Sequence, residues 1–203
     1  MSTCCRYETT AACLMFTSYL LASNPHVQEK LQAEIDQFFP SPDITASYDT
    51  VTELQYLQQV VSESLRIYPI TAHVGRWAAR ETTIEGKTIP RNCAVSAAVW
   101  VLHHDKTFWR EPWTFDPERF APENRDKIVE MTYMPFGAGP RNCIGRRFAM
   151  MEIKMALVEM FRRFNIQTCH KTPETLRVKN KGITISVVGD ELWLEISRRQ
   201  KCS

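Results

Sequence analysis

Phe136-Gly137-Ala138-Gly139-Pro140-Arg141-Asn142-Cys143-Ile144-Gly145 decides how the rest of this chain is read. Its glycines and proline cannot propagate a helix or a strand, so the segment is an irregular loop, and it runs straight into an amphipathic helical stretch over 147–164. Cys143 therefore lies just before a helix N-terminus. There, unpaired backbone N–H groups and the positive end of the helix dipole favour a thiolate, the metal-ligating form of cysteine. Arg141 adds a fixed positive charge nearby, able to lower the thiol pKa or to grip a carboxylate in bidentate fashion. Phe136 screens the sulfur from water, and the missing side chain at Gly145 lets a flat ligand approach the helix start. The plainer alternative is a buried structural cysteine in a glycine-rich turn.

At 203 residues and 44% hydrophobic, the chain can bury a real core as one large or two small domains. A net charge of +2 creates no global field that selects nucleic acid or an anionic membrane, so no nucleic-acid partner is expected. The seven cysteines are odd in number, scattered and free of CxxC spacing, which argues against a disulfide framework or a zinc site and for a reducing compartment. The longest apolar run, 11–22, is interrupted by Thr17 and Ser18 and is too short to cross a bilayer.

Taken in order, the pattern predicts a helix over 7–24 stopped by Asn24-Pro25, with Glu8, Thr9 and Thr10 in its first turns as capping candidates. A helix over 25–39 ends at Pro40-Ser41-Pro42. Asp49-Thr50 is positioned to cap a helix over 54–67, on which Glu63 and Arg66 share a face as a surface ion pair or a buried one. Extended pieces at 73–78, 82–85, 87–89 and 94–97 predict a small antiparallel sheet. An aromatic and proline-rich stretch over 109–120 follows, and segments 176–179, 182–188 and 192–197 predict a terminal hairpin about Gly189-Asp190. The fold class is mainly α with small antiparallel β-sheets, α+β.

The cysteine loop resembles the haem-binding loop of the cytochrome P-450 family of haem-thiolate monooxygenases, with Phe136, Gly139, Arg141, Cys143 and Gly145 in every fixed place. Three further stretches match the family in order: Glu8-Thr9 of the distal helix, Glu63 to Arg66 as its ExxR pair, and Pro117-Glu118-Arg119-Phe120 of its meander. The style is closest to the animal group that includes the drug-metabolising and thromboxane-synthase branches. The resemblance covers nearly all of the chain as the C-terminal part of that fold, 1–203 being one partial domain.

The resemblance implies haem b, with Cys143 as axial ligand of the iron and Phe136, Gly139, Arg141 and Gly145 shaping the haem cradle. It implies that Glu8 and Thr9 relay protons for dioxygen activation, although Cys5 and Arg6 occupy places where the family carries small residues. His73 takes the position of a basic contact to a haem propionate, with Arg76 as second candidate. Glu63, Arg66 and Arg119 form a buried network, and the Ile183 to Ile185 region approaches the substrate pocket. Arg146, Arg147, Arg162 and Arg163 contribute to a docking face for an NADPH-dependent flavoprotein reductase. The implied reaction inserts one atom of dioxygen into a lipophilic small molecule. Its rivals are a reductase-independent isomerase of the thromboxane-synthase type and an inactive truncated product. Membrane association at the cytosolic face of the endoplasmic reticulum is implied only for a full-length parent, and the isolated chain is expected to lack monooxygenase turnover.

Overall fold

The computed structural model describes residues 3–41, 43–181, 184–189 and 191–199, with the side chains of residues 3–6 and 181 outside the description. Helix α1, Thr3–Ser23, buries Phe16 and Leu21 completely, together with nearly all of Cys13. Asn24 ends it and starts the next helix. Its side-chain Nδ2 donates to Leu20 O at 2.8 Å, while its own carbonyl accepts from Val27 N at 3.0 Å. Pro25, lacking an N–H, fits the first position of α2, Pro25–Phe38.

Two glutamines fix α2 to a strand far away in sequence. Gln28 Nε2 donates to Ile166 O at 2.8 Å and Gln28 Oε1 accepts from Ile166 N at 2.9 Å, so the side-chain amide pairs with the strand as a backbone unit would. One turn on, Gln32 Nε2 donates to Phe164 O at 3.1 Å.

The stretch before the ExxR helix breaks into two helices. Short α3, Tyr48–Glu53, is capped by Ser47, whose Oγ accepts from Thr50 N at 3.2 Å; Asp49 and Thr50 lie inside it and do not cap the helix over 54–67 as expected. Helix α4, Gln55–Ile67, starts at Leu54, which has no capping side chain. Its open N–H groups are met from α2: the Glu34 carboxylate accepts from Tyr56 N at 2.7 Å and Leu57 N at 2.9 Å. Glu34→Ala is expected to lose this cap at a cost of about 1–2 kcal/mol, measured by urea unfolding. A change within experimental error would show that water replaces it freely.

Strand β1 (Val74–Trp77) pairs antiparallel with β4 (Ala94–Ala97), and β2 (Thr82–Ile84) pairs with β3 (Lys87–Ile89). The expected single sheet is thus two separate ribbons. The inner one turns through Glu85 and Gly86, both with positive φ, the geometry of a tight two-residue hairpin. After β4 comes α5, Val99–His104, which the sequence pattern did not foretell.

Helix α6, Arg146–Phe161, buries Ile153, Leu157, Val158 and Phe161 against α1 and α4. The expected helix over 147–164 is cut short because 164–168 forms β5 (Phe164–Thr168), which pairs with β8 (Leu194–Arg198). β6 (Val178–Lys181) pairs with β7 (Thr184–Val187). The expected hairpin of 182–188 with 192–197 is therefore incorrect: alternation marks a strand but does not name its partner. Arg199 fastens this edge, donating to Asp36 Oδ2 at 2.6 Å and to Phe161 O at 3.0 Å. The mainly α fold with small antiparallel sheets is as the pattern predicts.

Candidate active site

The cysteine loop is held by its own backbone. Gly137 and Gly139 both lie at φ 72°, a region costly for residues with a Cβ. Gly137 N donates to Met134 O at 3.0 Å, Asn142 N to Gly139 O at 3.1 Å, and Cys143 N to Phe136 O at 2.8 Å, which closes the loop. Gly145 is the N-cap of α6, so Cys143 does precede a helix start. Cys143 is exposed rather than buried. A Cβ placed on Gly145 would lie 4.0 Å from Cys143 Sγ, so the glycine leaves the flank of the sulfur open.

Phe136 packs half-buried against the core, with the Arg146 guanidinium 5.8 Å above its ring. Arg141 is exposed and its carbonyl accepts from Arg76 Nη2 at 3.0 Å. Arg76 also donates to Gly75 O at 2.8 Å, so this guanidinium, the second propionate candidate, serves as a strut between β1 and the loop. Val74 reinforces the contact, its methyls lying 3.9 Å from a Cβ position on Gly137. His73 is exposed just ahead of β1.

On α1, Glu8 is exposed, Thr9 half-buried and Thr10 buried. The helix starts at Thr3, so Glu8, Thr9 and Thr10 lie inside it and none is a cap. Cys5 and Arg6 have side chains outside the described residues, as does the expected crowding by Arg6. Thr10 Oγ1 donates to Glu152 Oε2 at 3.0 Å, joining α1 to α6, the helix that follows Cys143. Neither the Thr10 bond nor Glu152 was signalled by sequence, because the partners are separated by most of the chain. Of the pocket-facing stretch, Ile183 lies outside the described residues, while Ile185 is buried and its N–H donates to Ile70 O at 2.9 Å.

Beneath the site, Glu63 and Arg66 are fully buried and bidentate, at 2.7 and 2.8 Å. Arg119 Nε donates to Glu63 Oε1 at 3.3 Å and Asp116 N to the same oxygen at 3.2 Å. Arg66 Nη1 donates to His103 O at 2.8 Å and its guanidinium lies 5.2 Å over the Trp109 ring. The pair is therefore the buried one. The Arg cluster after Cys143 is less uniform than expected. Arg162 is buried over the Phe39 ring and donates to Ser41 O at 3.0 Å, so it belongs to the core and not to a docking face.

Among the described residues no group of three His, Cys, Asp or Glu could hold a bare metal ion. A single exposed thiol suits instead a metal whose other ligands arrive with a macrocycle. Ile144, 84% exposed, and Phe148, 57% exposed, leave apolar surface next to that thiol, as a flat apolar group requires. The donor set thus fits haem.

The cytochrome P450 family model matches residues 7–192. The chain is 43% identical to cytochrome P450 3A27 of Oncorhynchus mykiss over 192 residues, 95% of this chain and 37% of that protein. It is 44% identical to cytochrome P450 3A6 of Oryctolagus cuniculus over 177 residues, 87% of this chain and 35% of that protein. It spans little more than a third of the length of these animal relatives. Haem is the cofactor of that family, and on the family match and these identities the chain belongs to the cytochrome P450 family.

Proposed function

We propose that this chain carries the haem-thiolate centre of a monooxygenase that inserts one atom of dioxygen into a lipophilic substrate, with electrons from NADPH through a flavoprotein reductase. The observation that carries the reading is the exposed Cys143 thiol in a loop closed by the Cys143 N–H to Phe136 O bond, at the start of α6. Bound haem supplies dioxygen activation, assisted by electron donation from a thiolate ligand. Cys143 provides that thiolate. Phe136 shields it on one side, while Gly139 and Gly145 keep the loop thin enough for a planar group.

Arg141 and His73 offer positive charge and a hydrogen-bond donor to the haem carboxylates. Glu8 and Thr9 hold and pass protons on the distal side, with the neighbouring Thr10 to Glu152 bond keeping α1 in register with α6. Arg146 and Arg147, both exposed, are what remains of the reductase-facing cluster, because Arg163 pairs with Glu159 at 2.7 Å and Arg162 is internal. Among the described residues no helix is long and apolar enough to cross a membrane, so residence at the endoplasmic reticulum rests on the family reading.

The test is the ferrous carbon monoxide spectrum of the haem-loaded chain, and of a full-length relative carrying residues 7–192 in place of its own segment. The red-shifted band of thiolate ligation is expected, and Cys143→Ala should abolish it. A histidine-type band unchanged by Cys143→Ala would sink the assignment. Product formation that proceeds without NADPH would replace the monooxygenase reading by the isomerase one.

A further inference from the structure

His103, on α5, takes no part in the family motifs that identify the chain, yet its side chain is completely buried between the Glu63–Arg66 pair and the approach to the cysteine loop. Its ring nitrogens have unlike partners. Nδ1 lies 3.1 Å from Arg66 O, and Nε2 accepts from Met134 N at 2.9 Å. A carbonyl can only accept and an N–H can only donate, so the imidazole is neutral, with its proton on Nδ1. The backbone of the same residue is also engaged, because Arg66 Nη1 donates to His103 O at 2.8 Å. Tyr133 stacks on the ring at 5.3 Å between centroids, and its hydroxyl donates to Ser62 O at 3.0 Å.

Met134 connects this bridge to the sulfur. Its carbonyl accepts from Gly137 N at 3.0 Å, and Phe136, between them, accepts from Cys143 N at 2.8 Å. An unbroken hydrogen-bonded path thus runs from the buried carboxylate of Glu63 through Arg66, the imidazole and the Met134 backbone to the loop that presents Cys143. We propose that His103 is a positioning residue for the Cys143 thiolate, fixing the height and orientation of the cysteine loop against the Glu63–Arg66 pair. The proposal rests on Cys143 being the haem ligand. A part-buried N–H left without its acceptor moves toward water, and here such movement would draw Met134, Gly137 and the loop with it.

Two substitutions divide the bridge. His103→Gln can keep an acceptor near the Nε2 position but loses the donor to Arg66 O, whereas His103→Asn keeps a donor near Nδ1 and leaves Met134 N–H unpaired. In the haem-loaded chain, His103→Asn is expected to raise the ratio of non-thiolate to thiolate ferrous carbonyl complex about tenfold, the effect of one lost hydrogen bond to a part-buried N–H. His103→Gln should stay within about twofold of the parent. Amide exchange, measured with and without haem, should be about tenfold faster at Met134, Gly137 and Cys143 in His103→Asn than in His103→Gln, with the α4 amides equally protected in both.

Identical spectra and exchange in the two variants would overturn the proposal, as would unfolding of both, since either would make the imidazole ordinary core packing. Cys143→Ala serves as the control. If it retains the thiolate band, the ligand assignment fails, and the exchange data still decide whether His103 holds the loop.

Discussion

Glu63→Ala is expected to destabilise the protein by about 3–5 kcal/mol, because it strips the counter-charge from a guanidinium that cannot reach water. Arg66 is 0% exposed and its Nε and Nη2 donate only into the Glu63 carboxylate at 2.7 and 2.8 Å. Arg119 and the Asp116 N–H lose the same acceptor, at 3.3 and 3.2 Å. The remaining bond from Arg66 Nη1 to His103 O and the Trp109 face do not neutralise a charge. Burial pushes the Glu63 carboxyl up from its ordinary value, while the Arg66 bonds, the Asp116 N–H and Arg119 pull it down. The network therefore depends on every member being present, and removing the acid is worse than replacing the whole set with apolar residues.

Urea unfolding of Glu63→Ala beside the parent checks this. A loss below about 1 kcal/mol, the range of an exposed pair, would mean that Arg66 finds solvent and that the carboxylate is dispensable. Arg119→Ala should cost less, because that side chain is 15% exposed and can be replaced by water at the Glu63 oxygen. The order of the two variants is thus as informative as either size.

What could be read from sequence and what could not divide along chain separation. The cysteine loop, Glu63 with Arg66, and Pro117 to Phe120 are local patterns; spacing marked the loop but left Glu63 and Arg66 as a surface or a buried pair, and only the family resemblance implied the buried network with Arg119 that is found. The start of α4 at Leu54 was legible, but short α3 before it was not, so Asp49-Thr50 read as a cap although they lie inside a helix that Ser47 caps. Strand partners were illegible, since β8 joins β5 and not β7 through contacts between well-separated residues. The same holds for Gln28, whose amide completes a distant strand, and for Glu34, which caps a helix it does not belong to. Arg162 misled because a charged residue next to Arg163 reads as surface, yet its guanidinium lies 4.8 Å over Phe39 and is capped by Ser41 O. His103 gave no signal because its role lies in two backbone atoms from other segments.

Acid should weaken the fold through that same histidine. Burial, chiefly, lowers the His103 pKa from its ordinary 6.5 to about 4, helped by the positive Arg66 and by His104, against the stabilising bond from its ring to Arg66 O. Its surroundings are the Arg66 guanidinium and Glu63 on α4, His104 on α5, and Tyr133 stacked on the ring. Because the folded-state value lies below the unfolded one, the unfolded chain binds the proton first. The stabilising contribution is therefore fully present above pH 6.5 and is lost as pH falls through about 4. At about 1.4 kcal/mol for each pH unit, the interval amounts to about 3 kcal/mol. A charged ring would carry a proton on Nε2 facing the Met134 N–H, so the bond at 2.9 Å would be broken as well as desolvated. Carboxylates add their own acid sensitivity, so the diagnostic quantity is the difference between the parent and His103→Gln, which has nothing to titrate at this position. The parent should lose about 3 kcal/mol more than His103→Gln between pH 7.5 and 4 in urea titrations. Parallel pH profiles for the two proteins would mean that His103 is reached by water in the folded state, contrary to its complete burial.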